Sequence, residues 1–258
     1  MRCTFPLALT FLTVLPWRGL GQVGPQDLAR SMFWFPWVGL ILGLGFWGAL
    51  LGLQSIFPPA AAAALLLVLT VLATRGLHLD GLADTVDGLG GGRNPQERLA
   101  IMKDSRLGAF GAVSLFLALL LKFTLFLAWA EKGAAVGLIL YPVLSRWGMV
   151  FLAYLSPYAR PEGGLGQAMT TGVSGRVLLG ATLSALVLAL LSARISGLFL
   201  LAAAGVTIWL LSLYFQKRLG GITGDVLGAA NEVLEILVLM GLLFWSHLLP
   251  TVSYLQFF

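Results

Sequence analysis

Charge is what this sequence has least of. Only 10% of its 258 residues are charged, against 59% hydrophobic, and the mean hydropathy is +0.93. A water-soluble domain carries about a quarter charged residues. A chain this poor in charge cannot cover a water-facing surface, so lipid is the solvent for most of it. Cysteine is almost absent too. The single Cys3 excludes an intramolecular disulfide and a thiolate metal cluster. No break in composition divides the chain, so residues 1–258 read as one integral membrane domain.

The stretch Met1 to Pro16 has the outline of a secretory leader, with one Arg and a short apolar run. No small-residue cleavage site follows, and Pro16-Trp17-Arg18 is a poor one. At roughly a dozen residues it is also too short to span a bilayer. An interfacial or re-entrant segment is the better expectation.

What is present is long apolar runs. Seven stretches suit helices through a core about 30 Å thick, near 33–53, 57–74, 107–130, 134–156, 177–193, 196–215 and 233–250. Lipid offers no hydrogen bonds, so each crossing satisfies its own backbone as a helix. The expected fold is therefore all-α, a polytopic transmembrane bundle. With the N-terminus inside, twelve cations fall on inner segments, including Arg75, Arg93, Arg98, Lys103, Arg106, Arg160, Lys217 and Arg218. Only Lys132 and Arg194 fall outside. That bias orients the chain N-inside. It also accounts for the net charge of +5 without a nucleic-acid partner. Lipid is the expected partner, and self-association stays open.

The acids are informative because they do not follow that rule. Asp80, Asp84, Asp87, Glu97 and Asp104 lie in the loop expected after the second span, and Asp225, Glu232 and Glu235 lie before the last. Asp80, Asp84 and Asp87 stand at i, i+4 and i+7, one face of a helix. Like charges at that spacing repel, so a compensating cation is expected. Hard oxygen ligands suit Mg²⁺, which binds through a few carboxylates and substrate phosphates.

Next comes Gly88-Leu89-Gly90-Gly91-Gly92-Arg93. Glycines let backbone N–H groups approach an anion, and Arg adds a forked phosphate donor. Gly90, Gly91, Gly92, Arg93, Lys103 and Arg106 are therefore candidate phosphate-binding residues. Asp80, Asp84 and Asp87 are candidate metal ligands, with Asp84, Asp104, Asp225 and Glu232 as candidate catalytic carboxylates. Asp225 and Glu232, seven apart, share a helix face and stand where charge is costly unless a polar cavity receives it. Plainer readings exist for the rest. His78 lies opposite the aspartates, Lys122 can snorkel or pair internally, and Arg146 either lines a cavity or pairs internally.

These residues carry a family resemblance. The stretch His78-Leu79-Asp80-Gly81-Leu82-Ala83-Asp84-Thr85-Val86-Asp87-Gly88-Leu89-Gly90-Gly91-Gly92 resembles the hallmark of the cobalamin synthases, the adenosylcobinamide-GDP ribazoletransferases. Arg98 to Gly111, Gly220 to Glu232, Leu12-Thr13-Val14-Leu15-Pro16 and Phe35-Pro36-Trp37-Val38-Gly39 are similar to the same family, so the likeness runs nearly end to end. It implies a Mg²⁺-dependent transferase in the bacterial inner membrane, with its active site facing the cytoplasm. Such an enzyme joins adenosylcobinamide-GDP to α-ribazole or its 5′-phosphate and releases GMP. No corrinoid is legible in composition or periodicity.

Rival readings fit less well. A CDP-alcohol phosphotransferase expects D-G-x2-A-R, and Asp80-Gly81-Leu82-Ala83-Asp84 lacks the Arg. A prenyltransferase expects paired acidic motifs without the glycine run. An ion-coupled transporter places carboxylates near mid-membrane and often shows internal repeats. These acids are expected at span ends, on one face.

Overall fold

A computed structural model describes residues 4–133 and 137–248. Positions 134–136 and 249–250, at the ends of two expected spans, lie outside the described residues, as does Cys3. The described chain is all-α apart from one isolated bridge between Tyr158 and Ile222.

Short helices α1 (Thr4–Leu12) and α2 (Pro25–Ser31) lead through a 3₁₀ turn into α3 (Phe35–Gln54). Nine residues of α1 rise only about 14 Å, so α1 does not cross a bilayer. Then come α4 (Pro59–Thr74), α5 (Leu77–Gly91), α6 (Pro95–Ile101), α7 (Ala109–Lys132) and α8 (Gly137–Leu155). The chain ends with α9 (Leu165–Gly172), α10 (Gly175–Leu219) and α11 (Gly224–Leu248). Among the described residues, five helices are long and apolar enough to cross a membrane, or six if the bent pair α4–α5 is one span. The protein is a multi-pass membrane protein.

The 45-residue α10 merges the fifth and sixth expected crossings. Arg194 interrupts it with φ 50° and ψ −129°, a conformation that L-residues rarely adopt. Beyond it, a Cβ on Gly197 would lie 2.2 Å from the Ala189 carbonyl oxygen. In a straight helix those residues stand about 12 Å apart. The chain therefore folds back on itself at Arg194, and the absent side chain of Gly197 lets the two arms touch.

Helix α8 forms the centre, with Leu138, Leu140, Val143, Leu144, Val150 and Leu152 all enclosed. Gly39 and Gly43 of α3, four apart, set that helix against it. Their missing Cβ atoms would meet the Pro142 and Ile139 backbones at 2.3 and 2.5 Å. Small residues at this spacing are how membrane helices approach closely when apolar burial gives no advantage over lipid.

Two sequence expectations change. The acidic stretch after the second crossing is not a loop but α5, set at 86° to α4. Arg75 and Gly76, both left-handed at φ 56° and 64°, make that corner. The last helix also begins at Gly224, earlier than expected, so Asp225, Glu232 and Glu235 all lie within it. Glu232 and Glu235 are enclosed, each 4% exposed. Lys122 of α7 bonds both, with Nζ at 2.5 Å from Glu232 Oε2 and 2.6 Å from Glu235 Oε2. Arg146 of α8 pairs with the other oxygen of Glu235. Lys122 thus pairs internally and does not snorkel, and Arg146 both pairs internally and lines a small cavity beside His78 and Tyr141.

Removing one partner of a buried pair leaves an uncompensated charge, at a cost of about 3–5 kcal/mol. Glu235→Ala should therefore lower the thermal midpoint of the detergent-solubilised protein markedly. Leu191→Ala, at a lipid-facing position 77% exposed, should leave it nearly unchanged. Thermal unfolding of the two variants side by side checks this.

Candidate active site

Four segments converge at one end of the bundle: α5, the α6–α7 connection, the strip 157–164 after α8, and the start of α11. Helices α5 and α11 approach at two glycines. A Cβ on Gly81 would stand 2.6 Å from the Asp225 carbonyl oxygen, and one on Gly228 would stand 3.2 Å from the His78 backbone. The contact at Gly81 brings Asp80 and Asp84, from α5, beside Asp225, from α11. Asp80 is exposed and the other two are half-buried. Asp84, on α5 outside the five spans, has its carboxyl pushed up to about 6 by burial, then by the charges of Asp80 and Asp225, with Arg160 opposing. Asp225 is held by Arg160 Nη2 at 2.8 Å and by the Thr223 hydroxyl at 3.1 Å.

Asp87 completes the expected i, i+4, i+7 face but does other work. Its two oxygens accept from the backbone N–H of Gly108 and of Gly111, both at 2.8 Å. These are orphan donors at the start of α7, and a carboxylate there is also favoured by the helix dipole. Gly108 and Gly111 have no room for a Cβ because the Asp87 carboxylate fills it. Asp87 is a buried cap joining α5 to α7, set apart from the Asp80, Asp84 and Asp225 group.

The glycine run is likewise placed otherwise than as an open cradle. Gly90 and Gly91 close α5 inside its last turn, and the Gly92 N–H bonds the Gly88 carbonyl at 3.0 Å. Added Cβ atoms would strike Met102 at Gly88, Phe110 at Gly90 and Arg98 at Gly92. The run is a packing surface for α6 and the first turn of α7. Arg98, sequestered by it, gives its guanidinium to the carbonyls of Gly92 at 3.1 Å and Arg218 at 2.9 Å. Arg93 is exposed, and its backbone N–H bonds Glu97 at 2.9 Å. Glu97 also exchanges bonds with Asn94 at the start of α6, which makes it part of a cap.

The remaining candidates are divided. Lys103 pairs with Glu162. Asp104 takes Arg106 through Nη2 at 2.5 Å and Nε at 3.0 Å. Those hydrogen bonds hold the Asp104 carboxyl down at about 2, so it stays ionised at neutral pH and is a weak proton acceptor. Glu232 stands about 10 Å along α11 from Asp225 and belongs to the buried network with Lys122. The expected Asp225/Glu232 pair therefore does not form, because the helix carries one residue to the site and the other into the core.

The ligand atoms of His78, Glu232 and Glu235 lie within 4.8 Å of one another, yet this is not the better metal position. Lys122 and Arg146 already balance both glutamates, so a divalent ion would bring net charge into an apolar interior. Asp80, Asp84 and Asp225 have the opposite character. They are all-oxygen donors short of positive charge, a set that fits Mg²⁺. Sequence reasoning missed Arg160 because it lies far from the acidic motifs in the chain. The basic residue in a strip between two spans was the only signal for it.

Fold and site together define a multi-pass membrane protein whose acidic helices meet at one end of the bundle. The chain belongs to the cobalamin-5-phosphate synthase family, whose profile matches residues 4–243. Among its relatives, an adenosylcobinamide-GDP ribazoletransferase of Syntrophobacter fumaroxidans is 45% identical over 237 residues, covering 91% of this chain and 96% of the relative. Enzymes of the same name from Pseudomonas putida W619 and Desulfitobacterium hafniense Y51 are 46% and 41% identical, each covering over nine-tenths of both chains. No solved structure matches.

The division of labour among the aspartates predicts opposite stability effects. Asp87→Ala should cost about 1–2 kcal/mol, the range for a lost helix cap. Asp84→Asn removes a like charge and should leave stability unchanged or slightly raised. Thermal midpoints compared with the unsubstituted protein check both.

Proposed function

We propose that this protein is an adenosylcobinamide-GDP ribazoletransferase, working with Mg²⁺ at the cytoplasmic face of the bacterial inner membrane. Family membership supports the transferase reading. The observation that carries the site is the joining of Asp80 and Asp84 to Asp225 through the Gly81 contact. The substrates are small molecules, adenosylcobinamide-GDP with α-ribazole or its 5′-phosphate. A ribose hydroxyl oxygen forms a bond to the phosphorus that bears the cobinamide. The bond from that phosphorus to GMP breaks, GMP leaves, and the hydroxyl proton is released.

In this reading Asp80, Asp84 and Asp225 hold Mg²⁺. When bound, it neutralises charge on the diphosphate and on the departing GMP. The chain supplies position. Gly81 sets the distance between the two acidic helices, Asp87 fixes α5 against α7, and Thr223 orients the Asp225 carboxylate. Arg93, Lys103 and Arg106 form an exposed cationic margin that draws in an anionic substrate. The glycine run acts through packing.

The topology proposed has the N-terminus inside and seven crossings, counting both arms of α10 and taking α4 as a crossing, with α5 turned aside at its inner end. It is supported by the cation bias and by contacts among expected inner segments. Arg160 meets Asp225, Lys103 meets Glu162, and Arg98 meets the Arg218 carbonyl. At the other end Gln54 bonds the Ala130 carbonyl at 2.5 Å. Carboxylates at mid-membrane are what a transporter would show, but Glu232 and Glu235 are spent on fixed cations.

Purified protein with adenosylcobinamide-GDP and α-ribazole should release GMP with Mg²⁺ and stop when EDTA is added. Asp84→Ala should reduce turnover at least about a hundredfold while leaving expression intact; near-normal turnover would remove Asp84 from the metal site. Gly81→Ala forces α5 and α11 apart, and a displacement near 1 Å costs on the order of a hundredfold in rate. Turnover by Gly81→Ala equal to that of the unsubstituted enzyme would show that helix spacing is not limiting.

A further inference from the structure

Arg160 comes from outside the aspartate-rich motifs, yet it is the cation paired with Asp225. Among the described residues, no other Lys or Arg forms an ion pair with Asp80, Asp84 or Asp225. Its side chain is 15% exposed. Nη2 donates to Asp225 Oδ2 at 2.8 Å and more weakly to the Met102 carbonyl at 3.4 Å. Nε is fully enclosed and has no acceptor among the described residues. A guanidinium carries five N–H donors in a rigid plane, so most of this one is unspent. An enclosed donor without an acceptor is rare in folded proteins and calls for an explanation.

The mounting is firm. Ala159 N–H bonds the Ile222 carbonyl and Ile222 N–H bonds the Pro157 carbonyl, both at 2.9 Å. A Cβ on Gly221, at φ 159°, would stand 2.4 Å from the Pro157 oxygen. This small backbone clasp ties Arg160 to the turn preceding α11. Two residues on, Glu162 takes Lys103 and fastens the strip to the α6–α7 connection. The more exposed cations nearby rest on surface carboxylates, Lys103 on Glu162 and Arg106 on Asp104.

We propose that Arg160 is a phosphate-binding residue of the transfer site and shares Asp225 with the divalent cation. Its single-nitrogen contact with Asp225 competes with that cation for the carboxylate. The donors of Nη1, which no hydrogen bond among the described residues uses, take a phosphoryl oxygen of the diphosphate, a match that a planar guanidinium makes and a point charge does not. This assignment rests on the diphosphate-transfer reading given above.

The test uses the full-length protein in detergent, with two calorimetric titrations: Mg²⁺ alone, and GDP at saturating Mg²⁺. Arg160→Gln removes the competitor and the fork together, so Mg²⁺ should bind several-fold tighter and GDP at least tenfold weaker. Arg160→Lys keeps a charge but not the fork, so Mg²⁺ should bind within about twofold of the unsubstituted protein while GDP still weakens. A residue that merely holds the strip in place would weaken both ligands together. The proposal is overturned if GDP affinity is unchanged in either variant, if Mg²⁺ fails to tighten in a folded Arg160→Gln protein, or if the unsubstituted protein binds no Mg²⁺. If the opposite shifts appear but adenosylcobinamide-GDP yields no GMP, the ribazoletransferase reading fails while the Arg160 assignment stands.

Discussion

Two glutamates on α11 are carried into the apolar body of this protein, and they stay there because Lys122 of α7 and Arg146 of α8 meet them. In a lipid-solvated bundle, apolar contact between helices gains little over contact with lipid. A buried, charge-balanced network is a different kind of joint. Breaking it leaves a charge with nowhere to go, and sliding one helix past another breaks it. The position of α11 along its own axis is fixed by this joint, and with it the position of Asp225 about two turns nearer the end of the bundle. The acidic face is thus registered from below, by charges that take no part in forming it.

Glycine provides the second constraint. At Gly81 and Gly228 its absent side chain lets the backbones of α5 and α11 touch, which puts Asp80 and Asp84 at the same end of the bundle as Asp225. At Gly39 and Gly43 the same device seats α3 on α8, and at Gly197 it closes the α10 hairpin. Gly88, Gly90 and Gly92 let α6 and α7 fold over the end of α5, where Asp87 ties the corner. Thus glycine-rich and Asp-rich parts of one motif serve separate ends. The glycines and Asp87 build the frame, while Asp80 and Asp84 stand beside the start of α11.

The cations around the site share a logic. Lys103, Arg106 and Arg160 each rest on a carboxylate, two at exposed positions and one largely enclosed. Exposed pairs contribute little to stability because water and salt screen them. The enclosed pair at Asp225 is of another kind: it has few competing waters and a strictly held backbone.

Several properties of this protein follow from its sequence alone. Lipid as solvent and helices as the only way across it are consequences of composition, which need no packing to be read. The i, i+4 placing of Asp80 and Asp84 and the family likeness are equally local. Tertiary structure decided the rest, because each remaining question concerns partners far apart in the chain. Whether Asp87 faces outward or caps α7 depends on where Gly108 and Gly111 come to lie. Glu232 and Asp225 share a spacing but not an environment, since the helix takes one of them inward to Lys122. Arg160 had no mark in its own neighbourhood, and only the clasp between Pro157, Ala159 and Ile222 sets it beside Asp225. Spacing names a helix face; what that face meets is settled by the other helices.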